Sequence, residues 1–229
     1  MSDKKASEKS SEKDLKDMEE QAVTTEQMRA IENVHIKAGG TYLELMDRAA
    51  EHAAAFIQDK FKPCKTLVLC GPGNNGGDAY GTARLLQEAG FEVTVAMDTT
   101  REPQQSPEAQ AERNAWHGKI YDFMDVDYGH YKLIVDGLFG TGLHQDLRGA
   151  YLKVVKLVNE SPAKVVALDI PSGVCSDTGT IKMDAIQADY TVTFHRPKHG
   201  HYKKEGKKRS GHIVLRDVGI VMGDFDPSS

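Results

Sequence analysis

The chain has 229 residues, a length typical of one domain that is large enough to bury its own core. Its 29 basic and 34 acidic residues give a net charge of -5, so no overall positive field favours nucleic acid or an anionic membrane as a partner. No apolar run approaches the roughly 18 residues that cross a bilayer. The three cysteines form no C-x-x-C pair, and unpaired thiols make the cytoplasm the expected location.

The N-terminal segment consists almost entirely of Lys, Glu, Asp and Ser and offers too little apolar surface to order itself. Residues 1–22 are therefore predicted to form a disordered, charged tail, with a partner-binding arm as the alternative. The globular domain is predicted over residues 23–221. Residues 222–229, which have the composition of a turn or linker, are predicted to form a short C-terminal tail.

Two helices are predicted at the start of the domain. Thr24 and Gln27 have the spacing of a capping box ahead of apolar residues at helical intervals. The second helix follows Gly39 and Gly40 and ends before Pro63, because proline cannot continue a helix. A pair of helices is therefore expected before the first strand.

An apolar run at residues 66–70 predicts the first strand, and a glycine-rich loop at residues 71–78 joins it to the next helix. Gly71, Gly73 and Gly76 satisfy the G-x-G-x-x-G pattern, which lets backbone N–H groups approach a phosphate at a helix N-terminus. That pattern is weak when it stands alone. It indicates a nucleotide site only together with further residues.

After this loop, short apolar strands alternate with helices. Such alternation predicts a three-layer α/β/α, Rossmann-like fold, in which a mainly parallel central sheet is covered on both faces. The predicted strands are residues 91–96, 133–135, 165–168, 190–194 and 212–215, and the predicted helices between them include residues 108–117 and 151–158.

Polar residues follow three of the predicted strands. The first strand runs into Asn74, Asn75 and Asp78, the third into Asp136, and the fourth into Asp169. In isolation each aspartate is explained more simply by a helix cap or an Asx turn. Because the carboxyl ends of parallel strands meet at one edge, where such sheets bind ligands, the three together favour a ligand site.

Five motifs occur in order along residues 24–220: GPGNNGGDAYGTARLL, VDGLFGTGL, ALDIPSG, ADYTVTFHRPKHG and GHIVLRDVGI. Together they resemble the epimerases of hydrated nicotinamide nucleotides, the YjeF N-terminal domain family. Members interconvert the R and S forms of NADHX and NADPHX, in which water has added across the nicotinamide ring. A separate ATP- or ADP-dependent dehydratase then repairs the S form. The resemblance implies an isomerase of nicotinamide nucleotide repair that forms a homodimer and is functionally coupled to such a dehydratase.

The resemblance also implies the residues of the site. Asp169 contacts the substrate, and we expect it to donate a proton to the leaving hydroxyl and to take one from the incoming water. A potassium ion is the implied cofactor, with oxygen ligands from Asn75, Asp136 and Ser172, and the chain has no Cys/His set with zinc spacing. The implied substrate-binding residues are Asn74, Asn75, Gly76, Gly77, Asp78, Gly140, Thr141, Gly142, Leu143, His144, Gln145, Asp146 and Asp169.

Three alternative functions are open at this point. An NAD(P)-dependent oxidoreductase needs an acidic residue about 20 residues past the loop, and Asp98 lies farther along. A serine hydrolase is disfavoured because Ser172 lies in Pro-Ser-Gly and not in a nucleophile elbow. A non-catalytic scaffold module of the same fold, which binds a nucleotide or a protein, is the more serious alternative. The presence of Asp136, Asp169 and Ser172 together argues against it.

A dense basic run covers residues 195–209. The main interpretation is a solvated loop before the last strand, with contact to nucleotide phosphates as the alternative. A nucleic-acid patch is disfavoured because Tyr202 is the one aromatic residue in the run. His199 and His201 have the spacing of a chelating pair, but two histidines without a third ligand are a weak signal.

Overall fold

The computed structural model describes residues 12–220, apart from residues 101, 104 and 144. The strands are β1 (Lys65–Cys70), β2 (Glu92–Met97), β3 (Ile120–Asp122), β4 (Leu133–Gly137), β5 (Lys164–Leu168), β6 (Tyr190–Phe194) and β7 (His212–Arg216). The α-helices are α1 (Glu12–Glu20), α2 (Thr25–Lys37), α3 (Tyr42–Lys60), α4 (Asn74–Glu88), α5 (Pro107–Ala115), α6 (Gly149–Glu160) and α7 (Lys204–Arg209). Short 3₁₀ helices occur at Phe123–Asp125, Tyr128–His130 and His199–His201.

The seven strands form one sheet in the order β3-β2-β1-β4-β5-β6-β7, and every neighbouring pair is parallel. Side chains alternate between two cores along β1: Val68 packs with α2, α3 and α4, whereas Leu67 and Leu69 pack with α6. The predicted three-layer α/β/α fold is therefore confirmed. Within the described part of the chain, none of the helices combines the length and apolarity needed to span a bilayer.

The strand order changes direction at the centre of the sheet. From β1 the chain adds β2 and β3 on one side and then crosses to β4 on the other side of β1. Cys70 lies opposite Gly137, and the N–H of Gly71 donates to the carbonyl oxygen of Gly137 at 3.0 Å. The loops that follow β1 and β4 therefore leave the sheet side by side, which is the usual position of a ligand site in this class of fold.

The glycine-rich segment turns directly from β1 into α4. The helix begins at Asn74, with Gly73 as its N-cap, so residues 74–78 are helical and the predicted loop is shorter than expected. A Cβ on Gly71 would overlap the carbonyl oxygen of Leu138, and a Cβ on Gly76 would overlap that of Gly71. The turn is tight because these two positions have no side chain.

The N-terminal part of the chain contains one confirmed feature and one difference. The capping box of α2 is present, since Gln27 N–H donates to Thr24 Oγ1 at 3.1 Å and Thr24 N–H donates to Gln27 Oε1 at 2.8 Å. Helix α1 lies inside the segment that was predicted to be disordered, so that prediction does not hold for Glu12–Glu20. Glu, Lys, Leu and Met favour helices, and opposite charges four residues apart add to this preference. Residues 1–11 and 221–229 lie outside the described residues.

Two short elements were missed in the sequence. Strand β3 has three residues and pairs only with β2, so it carries almost no periodic signal. Helix α7 lies in the basic run, which was interpreted as a loop, and it buries Gly206 while Lys207 and Lys208 are exposed. Short elements such as these are fixed by the neighbours on which they pack, and their own propensity contributes little.

Two leucines on helices provide a test of where the core lies. Leu86 on α4 is fully buried, whereas Leu157 on α6 is 36% exposed. We expect Leu86→Ala to lower the free energy of unfolding by about 3–5 kcal/mol, because it leaves a cavity, and Leu157→Ala to lower it by less than about 1 kcal/mol. Denaturant unfolding measures both. Equal losses in the two variants would contradict the described packing of α4.

Candidate active site

A cavity of about 540 Å³ opens at the carboxyl edge of the sheet, beside the change of direction between β1 and β4. Its lining comes from α2, α3, the start of α4, the loops after β4 and β5, and four residues further along the chain: Phe194, Lys198, Val218 and Ile220. The cavity collects residues from several of the predicted segments. The predicted site residues that line it are Asn74, Asn75, Asp78, Gly140, Thr141, Gly142 and Asp169.

A second cavity, of about 800 Å³, adjoins the first, because Phe139 and Gly142 line both. The other predicted site residues that line this second cavity are Leu143, Gln145 and Asp146. His144 lies outside the described residues. Gly76 and Gly77 are buried in α4 and line neither cavity; a Cβ on Gly76 would meet the carbonyl oxygen of Gly71, and one on Gly77 would meet Met46.

Asp136 and Ser172, two of the predicted potassium ligands, are fully buried and hydrogen-bonded to each other. Ser172 Oγ donates to Asp136 Oδ1 at 2.6 Å, and Ser172 N–H donates to Asp136 Oδ2 at 2.8 Å. Burial raises the pKa of Asp136 to about 6, and these hydrogen bonds oppose the rise. The carboxylate is thus held next to the serine hydroxyl.

Asn75, the third predicted ligand, is 7% exposed on the first turn of α4. Within the described chain, neither its amide oxygen nor its amide nitrogen has a hydrogen-bond partner. An unpaired buried amide costs roughly 1–3 kcal/mol, so such groups usually bind something. The described residues contain no group of three His, Cys, Asp or Glu side chains arranged to hold a metal. A cation here would therefore need amide, hydroxyl or carbonyl oxygens besides Asp136.

Asp169 is the first residue after β5 and adopts a left-handed backbone, with φ of 64°. Its backbone is held on both sides, since its N–H donates to Val192 O at 2.7 Å and its carbonyl oxygen contacts His201 Nε2 at 2.9 Å. One carboxylate oxygen, Oδ1, binds Lys198 and lies 3.4 Å from Thr193 Oγ1. The other, Oδ2, faces Gly140, where a Cβ would lie only 3.1 Å away.

Lys198 is 2% exposed, although it lies in the basic run that was interpreted as solvated. Its ammonium group donates to Asp169 Oδ1, to Thr193 Oγ1 at 3.0 Å and to Phe194 O at 3.3 Å. The solvated-loop interpretation is therefore wrong for this residue. A buried lysine is stable only with a carboxylate and further acceptors around it, and this site provides them.

His201 is 1% exposed and joins the backbones of Lys198 and Asp169. Its Nδ1 accepts the backbone N–H of Lys198 at 3.1 Å, so Nε2 carries the proton and donates to Asp169 O. Burial and the Lys198 charge lower the pKa of His201 to about 4, so the ring is neutral at pH 7. His201 therefore joins two backbone segments through its ring nitrogens, whereas the sequence had suggested it as a possible metal ligand with His199.

Two further carboxyl groups line the cavity near the Lys198–Asp169 pair. Burial, together with the charges of Asp169 and Glu32, raises the pKa of Asp78 well above its usual range. Burial and Asp169 also raise the pKa of Glu32, whereas Lys198 and Arg29 lower it. The cavity thus contains three carboxyl groups close to one buried ammonium group.

Glu32, Thr193 and Lys198 were not identified as site residues in the sequence. Glu32 lies on α2, which precedes the glycine-rich segment and carries no motif of its own. Thr193 and Lys198 lie within ADYTVTFHRPKHG, which was used for the resemblance but not searched for individual roles. Lys198 lies four residues after β6, inside the basic run, so no local pattern distinguished it from the solvated lysines nearby.

Comparisons with known proteins give a consistent result. Residues 42–200 match the profile of the family described as "YjeF-related protein N-terminus". An NAD(P)H-hydrate epimerase of Lentilactobacillus buchneri is 36% identical over 210 residues, which cover 89% of this chain and 97% of that protein. An NAD(P)H-hydrate epimerase of Rhodopirellula baltica is 40% identical over 184 residues, 78% of this chain and 75% of that protein.

Two other matches are a longer, bifunctional relative and a solved structure. The bifunctional NAD(P)H-hydrate repair enzyme Nnr of Escherichia coli is 38% identical over 186 residues, which cover 80% of this chain but 36% of that longer protein. The crystal structure of yeast ynu0 has a TM-score of 0.69 and 19% sequence identity, and the match covers 90% of this chain and 96% of that one. At that identity the structural match supports the fold alone.

The neutral His201 makes the stability of the protein depend on pH. A folded pKa of about 4 against an ordinary 6.5 corresponds to about 3 kcal/mol of folding free energy. As the pH falls, His201 binds a proton in the unfolded chain before it does so in the folded protein. This contribution to stability is therefore present above pH 6.5 and is lost as the pH falls to about 4. We expect urea unfolding to show a steeper loss of stability over this range in the wild type than in His201→Gln, which retains a donor to Asp169 O but cannot titrate. Parallel pH profiles would contradict the assignment.

Proposed function

The chain belongs to the family of YjeF-related N-terminal domains, and we propose that it is an NAD(P)H-hydrate epimerase, which interconverts the R and S epimers of NADHX and NADPHX. The observation that carries the proposal is the convergence on one cavity, at the carboxyl edge of the sheet, of Asn75 and Asp78 from the start of α4, Gly140 from the loop after β4 and Asp169 from the end of β5. Relatives named as this epimerase match along nearly their whole length. No observation favours the non-catalytic scaffold.

The chemistry requires little from the protein. The ring carbon that bears the hydroxyl is bonded to the ring nitrogen, whose lone pair stabilises the iminium ion that forms when the hydroxyl leaves. A carboxylic acid donates a proton to that hydroxyl, which departs as water, and the resulting carboxylate takes a proton from the water that returns to the opposite face. Atoms and charge balance over the cycle, and the carboxyl group is regenerated.

Asp169 is the proposed catalytic group. Its Oδ1 is occupied by Lys198 and Thr193, which leaves Oδ2 directed toward Gly140 and the cavity. Because Gly140 has no side chain, the ring of a substrate can approach this oxygen. The tight turn after β1 and the loop after β4 position the nucleotide around it.

A potassium ion held by Asn75, Asp136 and Ser172 is part of the proposal. The unpaired buried amide of Asn75 and the oxygen-rich chemistry of the Asp136–Ser172 pair fit a hard cation. When bound, the ion supplies positive charge that offsets the negative charge of the nucleotide phosphates. The protein residues themselves hold the loops after β1, β4 and β5 together.

The proposal extends to partners and location. Some relatives are named as bifunctional NAD(P)H-hydrate repair enzymes and are much longer than this chain, which supports functional coupling to an ADP- or ATP-dependent dehydratase. We further propose a homodimer, as the family resemblance implies. A cytoplasmic location is supported by the three free cysteines, Cys64, Cys70 and Cys175.

The first test of the proposal is Asp169→Asn. We expect it to lower the rate of R-to-S interconversion of NADPHX, measured by chromatography, by about 100-fold or more, because the amide cannot exchange a proton. KM should remain within about threefold, since the amide keeps the shape of the side chain. Asp59→Asn, on the exposed side of α3, is the matched control and should retain full activity. Undiminished turnover in Asp169→Asn would rule out its catalytic role.

The potassium site is tested by stability as well as by activity. Thermal unfolding in potassium chloride should occur at a higher temperature than in tetramethylammonium chloride, with about 1.4 kcal/mol of stabilisation at ten times the dissociation constant. Asn75→Leu, which removes the amide at similar volume, should lose this dependence without losing the fold. Identical unfolding of the wild type in both salts would contradict the site.

A further inference from the structure

We propose that Lys198 is a positioning residue for the epimerisation, which fixes the carboxyl group of Asp169 in the orientation that the reaction uses. The inference rests on the proposed function and assigns a role to a residue that was not among the predicted site residues. It depends on three observations: how the ammonium group is bound, how the backbone of Lys198 is held, and which charges surround it.

The ammonium group of Lys198 has three N–H donors, and the structure gives it three acceptors. These are Asp169 Oδ1, Thr193 Oγ1 at 3.0 Å and Phe194 O at 3.3 Å. No donor is left over for the substrate. Lys198 therefore acts on the reaction through Asp169, because Thr193 also contacts Asp169 Oδ1 and closes a small ring of hydrogen bonds around that oxygen.

The backbone of Lys198 is fixed from two directions. His201 accepts its N–H and binds the carbonyl oxygen of Asp169, so Lys198 and Asp169 are joined through backbone as well as side chain. On the other side, Val23 bridges the neighbouring residues: its N–H donates to Pro197 O at 2.9 Å, and its carbonyl oxygen accepts from His199 N–H at 3.4 Å. A lysine held in this way gives its partner carboxylate little freedom to rotate.

The charges in the cavity make the ammonium group necessary. Asp78, Glu32 and Asp169 all lie close enough to influence one another, and Lys198 is the buried cation among them. Arg29 faces Glu32, and the neutral His201 adds no charge. Without Lys198, the Asp169 carboxylate would lose its ion-pair partner beside two other carboxyl groups, and it would turn away from its present orientation.

The competing explanation is a buried ion pair that serves only the fold. Apolar residues of similar volume often replace such pairs without loss of stability, so a structural role alone gives little reason for this one. The two explanations differ in what a soluble amine can restore. An ammonium ion that diffuses into the space left by a truncated Lys198 can orient Asp169 again, but it cannot repair a misfolded domain.

The experiment uses Lys198→Met and Lys198→Ala at constant potassium concentration. In both variants we expect kcat to fall by about 100-fold, as for a misplaced catalytic group, with KM within about threefold of the wild type. Propylammonium has the same atoms as the part of the side chain that Lys198→Ala removes. It should raise the kcat of this variant at least about fivefold, because it can partly restore the orientation of Asp169. Tetramethylammonium has no N–H donor and should give no rescue. Lys207→Met, an exposed lysine of α7, is the matched control.

Several results would overturn the inference. Full activity in Lys198→Met, a raised KM with unchanged kcat, or equal effects of the two amines on Lys198→Ala would each do so. If the Lys198 variants fail to fold in thermal unfolding, Thr193→Val removes one acceptor of the ammonium group and should lower kcat about tenfold; an unchanged kcat then refutes the role. Absence of epimerisation in the wild type refutes the proposed function itself, which separates the two failures.

Discussion

Strands β1 and β4 pair in parallel at the centre of the sheet, and the distance between the loops that follow them governs the geometry of the site. Cys70 lies opposite Gly137, so the two loops begin at the same level. Gly71 then passes so close to Leu138 that there is no room for a side chain. This contact brings the first turn of α4 next to the loop after β4, and the cavity forms where the two diverge. The layers of helices support this arrangement by covering the remaining apolar faces of the sheet.

The cavity concentrates polar groups that the surrounding fold must compensate. Asp136 is stabilised by Ser172, Asp169 by Lys198 and Thr193, and the Asp169 carbonyl by His201. Ser172 follows β5, Thr193 lies on β6, and Lys198 and His201 belong to the segment after β6, so the hydrogen bonds also tie the carboxyl ends of neighbouring strands together. Among the predicted site residues in the described chain, Asn75 has a buried amide with no hydrogen-bond partner, and it is one of the proposed potassium ligands.

The sequence predicted what depends on local pattern. Alternating apolar strands and helices were sufficient for the three-layer fold, and the spacing of Thr24 and Gln27 was sufficient for the start of α2. The aspartates after the strands could be placed at one edge because parallel strands share a direction. Lys198 could not be found in the same way, since a lysine within a basic run resembles a solvated residue until its partner is known. Glu32 reaches the site only through the packing of α2, which no local pattern encodes.

The close approaches around the β1–α4 turn limit how the sequence can vary over evolution. At Gly71 and Gly76, an added Cβ would meet a backbone carbonyl oxygen, which every amino acid carries, so no second substitution can make room for it. At Gly81, the obstacles are instead the side chains of Ala50 and Glu112, at 2.7 and 2.8 Å, and smaller residues at those positions would relieve them. Gly71 and Gly76 therefore cannot be substituted whatever their neighbours are, whereas Gly81 can be substituted together with the residues at positions 50 and 112. Lineages of this domain should be free to remodel the helix packing but not the turn into the site.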